Sequence, residues 1–169
     1  LQLSLLWTAG GLLAAGIFLA SFVGKKEPKK QHWLVWFLLG AIAVVVFGSM
    51  AFEWLSTMGY IKEGTLFSQQ WEFLDLPRFF QILLTVGMFV WIGIIFRQLR
   101  GRLKTEHKSN MPWLFFYAGL AIPAFYAVGN LAGSETHISV AEFWRFWVVH
   151  LWVEDFLELF TTCLLYTSD

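Results

Sequence analysis

The sequence is poor in charge, in cysteine and in proline. Only 14% of its 169 residues are charged, against about a quarter in a soluble domain. Twelve Lys and Arg balance twelve Asp and Glu. The chain therefore has no basic excess for nucleic acid, and no nucleic-acid partner is expected. Its one cysteine, Cys163, excludes an internal disulfide and any CxxC motif. No internal repeat or low-complexity tract is present. The opening apolar run has no charged residues before it and does not read as a signal peptide.

Apolar residues fill the space. They make up 57% of the chain, with ten Trp and eighteen Phe. Mean hydropathy is +0.60. This composition implies a multi-spanning membrane protein with the lipid bilayer as solvent. Five apolar segments cover roughly residues 1–23, 33–57, 78–97, 112–132 and 143–165. Each approaches the ~20 residues a helix needs to cross a bilayer. In the first, "AGGLLAAG" permits close helix approach. In the fourth, Pro112 sits at the start and Pro123 is expected to kink the helix.

The connecting loops are segregated by charge. The loops at 24–32 and 97–111 hold nine of the twelve cations: Lys25, Lys26, Lys29, Lys30, Arg97, Arg100, Arg102, Lys104 and Lys108. The loops at 58–77 and 133–142 hold Lys62 against Glu63, Glu72, Asp75, Glu135 and Glu142. Short cationic loops stay in the cytoplasm, so the acidic loops are expected on the periplasmic side. Five spans then alternate in direction without conflict. His32 and His107 in the cationic loops read as solvated, and His137 in "SETHIS" stays open.

Ionisable residues inside a span need partners. Glu53, beside Trp54, is expected at the interface, and Arg145 either snorkels or binds an anion at that level. The last span carries more. In "WVVHLWVEDFLELF", His150, Glu154 and Glu158 recur every four residues and form one stripe. An imidazole and a carboxylate one turn apart suit a borderline divalent metal such as iron. A buried His–Glu hydrogen bond or a proton relay would use the same residues.

"WVVHLWVE", residues 147–154, resembles the signature of the large subunit of bacterial nitric oxide reductases, in the haem-copper oxidase superfamily. "WEFLDLPRFFQILL", residues 71–84, is similar to that family's outer acidic segment. "LSLLWTAGGLLAAGIFLA" and "GSMAFEWLSTMGYI" resemble segments of its single-chain, quinol-oxidising branch. The resemblance covers residues 1–162. It implies an all-α, polytopic transmembrane bundle, with five spanning helices of a larger haem-copper oxidase-like bundle. It implies reduction of two NO to N2O and water with two electrons and two protons, a quinol as electron donor, and the bacterial cytoplasmic membrane. The implied cofactors are haem b, haem b3, a non-haem iron and a calcium ion.

By motif position, the resemblance makes His150 and Glu154 iron ligands. It gives Glu158 a role in proton supply or in shaping the metal site. It places Glu72 at a calcium ion that bridges haem propionates, and Asp75 near a proton route. One departure is Asp155, where the family pattern has Gly. The family's haem-ligating histidines and two further iron-ligating histidines have no counterpart here, so the chain reads as a piece of a longer, catalytically complete protein. An oxygen-reducing relative is the first alternative, disfavoured because such enzymes lack a carboxylate four residues after the histidine. A proton-coupled transporter or structural subunit is the second. The last residues, "CLLYTSD", resemble a translated sequencing-library adapter, so 163–169 is expected to be a non-native tail after a partial catalytic domain at 1–162.

Overall fold

The computed structural model describes residues 2–25, 27–68, 76–105, 110–133, 135–146, 150–151, 154 and 158–166. They are helical, with no strand among the described residues. The helices are α1 (Gln2–Gly24), α2 (Gln31–Thr57), α3 (Arg78–Thr105), α4 (Met111–Gly129), α5 (Ile138–Phe146) and α6 (Glu158–Tyr166). The first four are long and apolar enough to cross a membrane. They match the first four expected segments, so the chain has the character of a membrane protein.

Three departures from the sequence expectation have physical causes. First, α3 does not stop at residue 97 but runs on to Thr105, so Arg97, Arg100, Arg102 and Lys104 stand on a helix. Trp91, Ile95 and Leu99 are 0% exposed at four-residue spacing, and Leu103 extends that buried stripe. Arg97, Arg100 and Lys104 occupy the exposed faces while Arg102 is half-buried beside the stripe, and Arg, Gln, Leu and Lys are all good helix formers. Second, the connection before the fifth segment is shorter than expected. Helix α5 already starts at Ile138, where His137 caps it. The His137 Nδ1 accepts from the Ser139 amide at 3.3 Å, and its carbonyl accepts from Val140 and Ala141. This gives His137 a local structural role. Third, the fifth segment is not described as one span. It comprises α5, then His150, Leu151 and Glu154 in π-helical conformation, then α6.

Helix α3 is the hub and packs against α1, α2 and α4, while α6 rests on α4 and α1. Hydrogen bonds at the ends of the bundle fix the described chain reversals between α1 and α2, between α2 and α3, and after α4. At one end, Arg97 donates to the Lys29 carbonyl at 3.2 Å and Arg102 Nε to the Val23 carbonyl at 3.1 Å. The two cationic segments therefore share an end, as the alternation of spans requires. At the other, the Phe79 amide donates to the Leu66 carbonyl at 3.0 Å. There Arg78 also donates to the carbonyls of Ala132, at 2.6 Å, and Asn130. Asn130 follows the last turn of α4, so a cation meets carbonyls left unpaired at a helix C-terminus.

Polar groups inside the bundle are few and mostly answered. Trp91 Nε1 donates to the Leu13 carbonyl at 2.9 Å, tying α3 to α1. Buried Gln31 donates to the Ile94 carbonyl at 3.1 Å, and buried Gln98 to Ser21 Oγ at 2.6 Å. In an apolar medium each such bond avoids the cost of an orphaned donor. Pro112 occupies the first turn of α4, where its missing N–H costs nothing, and the helix continues uninterrupted through Pro123.

Candidate functional site

The segment that carries the candidate ligands is held by one aromatic anchor. Phe160, two residues into α6, is 0% exposed. It stacks on Phe115 of α4, with ring centroids 4.9 Å apart, and meets Trp91 of α3 edge-on at 5.6 Å. Glycines make its pocket possible. A Cβ on Gly16 would lie 2.8 Å from Trp91 and 2.9 Å from Phe160. A Cβ on Gly119 would lie 2.9 Å from Ile92 and 3.3 Å from Phe160. Three helices thus lock α6 through one ring.

On the α5–α6 segment, His150 Nε2 stands 3.2 Å from Glu154 Oε2. Both side chains are about half exposed, at 45% and 57%. Phe146, one turn earlier, lies almost parallel to the imidazole at 4.5 Å and 21°. This stacking orients the ring. The π-helical backbone at His150, Leu151 and Glu154 is a rare widening of the helix that recurs at functional sites. Two ligands each about 2.0–2.2 Å from one metal ion stand about 3.0–3.5 Å apart at bond angles of roughly 90–110°. The observed separation falls in that range, so the donor pair fits two positions on one ion. A simple hydrogen bond at 3.2 Å would sit at the long end of its range.

The other expected site residues fare differently. Glu158 opens α6 and is exposed. Among the described residues no third His, Cys, Asp or Glu completes a metal-binding group. Glu72 and Asp75 fall in 69–75 and lie outside the described residues, as do Asp155 and His107. Arg145 lies on α5, and its side chain is outside the description. Glu53 is half-buried near the end of α2 beside exposed Trp54. His32 is exposed but stands in the first turn of α2, which starts at Gln31, rather than in the expected loop.

Sequence reasoning missed two things. Arg78 was passed over inside an apolar segment, yet it joins α3 to the end of α4. Its signal was its isolation, as a cation following a proline among acidic neighbours. Phe160 was one aromatic among eighteen phenylalanines, and no pattern marks it. Neither a scan of protein-family models nor a search of curated proteins finds a match to this chain.

Proposed function

We propose that this chain carries part of the catalytic membrane domain of a quinol-dependent nitric oxide reductase. The observation that carries the reading is the His150–Glu154 pair, two converging donors on a π-helical turn within "WVVHLWVE". His150 and Glu154 would hold the non-haem iron. When bound beside a haem iron, that ion brings two NO molecules together and supplies electrons. A carboxylate donor suits iron better than copper, which weighs against an oxygen-reducing relative.

The chain's own residues then divide the work. Phe146 orients the His150 ring, and Phe160 fixes the segment to the bundle. Glu158, exposed and one turn beyond Glu154, serves proton delivery. Glu72 would supply a hard oxygen donor to a calcium ion, and Asp75 would serve proton transfer. In this reading α5 and α6 belong to a fifth span of a larger bundle holding haem b and haem b3. The cationic end faces the cytoplasm of a bacterial inner membrane. The test is Glu154→Ala in the complete enzyme. NO consumption is expected to disappear and non-haem iron content to fall, while the low-spin haem spectrum persists. Unchanged NO consumption and iron content would remove the ligand assignment.

A further inference from the structure

Helices α1 and α2 both pack on α3 but touch each other little. Between them runs an open apolar groove of ≈ 610 Å³. Trp7, Gly11, Ala14 and Ile17 line one wall, and Val35 and Ile42 stand on the other. The small residues of α1 make the groove deep, and nothing stands within 4 Å of a Cβ built on Gly10 or Gly11. At ~1.5 Å per residue, the wall at Val35 begins about 6 Å from the start of α2. The lining continues to Val46, about 22 Å in, so the groove reaches past the ~15 Å depth of one bilayer leaflet.

The turn that joins the two walls supplies the second observation. Lys25 directly follows α1 and Lys30 directly precedes α2, so both lie in the turn beyond the Ile17 and Val35 end of the groove, about 12 Å and 7 Å along the helices from those residues. Lys25, Lys29 and Lys30 are exposed, and Glu27 is the one acid among the described residues of that turn. Lys25 and Lys30 hold left-handed backbone, with φ of 58° and 63°, a conformation that usually falls to glycine. Arg97 fixes the turn from α3 by its bond to the Lys29 carbonyl. An apolar channel more than one leaflet deep, with three exposed cations beyond one end, is complementary to one kind of molecule in its surroundings.

We propose that the α1–α2 groove is a binding site for an anionic phospholipid, with an acyl chain between the helices and the headgroup phosphate on Lys25, Lys29 and Lys30. Nitric oxide chemistry plays no part in this inference. A lysine near an anionic headgroup is worth roughly a fivefold preference.

The full chain, purified in mild detergent, is incubated with phosphatidylglycerol or phosphatidylcholine of identical acyl chains. Retained lipid is counted by mass spectrometry after gel filtration. Phosphatidylglycerol is expected to be retained about tenfold or more over phosphatidylcholine. Replacing Lys25, Lys29 and Lys30 together by Gln should bring the two within about twofold. Gly11→Leu fills open space in the groove and should lower retention of both lipids. Ala14→Phe, on the same wall, should do the same, and circular dichroism verifies that each variant is folded. Equal retention of both lipids by the parent chain overturns the proposal, as does undiminished retention in the two folded groove variants. Elution of the parent as a lipid-free dimer also overturns it, because a protein helix then fills the groove.

Discussion

In α3, residues at four-residue spacing disappear into the bundle, as Trp91, Ile95 and Leu99 do. In the α5–α6 segment the same spacing brings His150, Glu154 and Glu158 out to exposed positions. In α3 helical periodicity gathers the side chains into a stripe, and in the later segment it brings His150 to Glu154. The side chains decide which way the stripe turns. Indole and aliphatic groups gain dispersion contacts by facing other helices. Imidazole and carboxylate would lose solvation there, and they face outward, where an ion or a further helix can reach them. Phe160 reconciles the two, because it binds the polar segment to the apolar body through its buried ring.

The largest effect should come from breaking the difference at its polar end. Under the proposed function, Glu154→Ala abolishes NO reduction in the complete enzyme without lowering the stability of the four-helix body. Next comes the link between the two regions. Phe160→Ala empties a pocket shared by α1, α3 and α4. It should cost about 3–5 kcal/mol, measured by detergent or thermal unfolding. Under the proposed function it also reduces NO turnover, whereas a deletion confined to the body, such as Leu38→Ala, should reduce stability with activity preserved per folded molecule. Gly16→Val approaches the same pocket from α1. Its added carbons meet Trp91 and Phe160, and a loss of about 1–3 kcal/mol is expected.

Smaller effects sharpen the comparison within the body. Arg78→Ala leaves the carbonyls of Asn130 and Ala132 without their donor and should cost about 1–3 kcal/mol. Faster amide exchange in the last turn of α4 would localise the loss. Gln98→Leu should matter least. It removes a bond to Ser21 but also a buried Oε1 that has no partner, so the change in unfolding free energy should stay within about 1 kcal/mol.

The four long helices were legible in the sequence because long apolar runs bounded by charge or proline have few other solutions in a bilayer. The end of α3 was not. A count of cations cannot distinguish a loop from a helix whose buried face continues, and the buried Leu99 made the difference. The candidate site was legible at His150 and Glu154, because i, i+4 spacing brings two side chains together on any helix. Their 3.2 Å approach, the stacked Phe146 ring and the π-helical turn were not legible, since these depend on local backbone geometry that spacing does not encode.

The amino-acid sequence by itself determined the helical class, the four long apolar spans and the meeting of His150 with Glu154, because these follow from local periodicity and from the cost of unpaired backbone in an apolar medium. Only the tertiary structure decided which helices touch. It made α3 the hub, chose Phe160 from eighteen phenylalanines as the anchor of α6, and left α1 and α2 apart with a groove between them. These outcomes depend on where glycines on one helix face rings on another, and such complementarity exists only once the helices have packed.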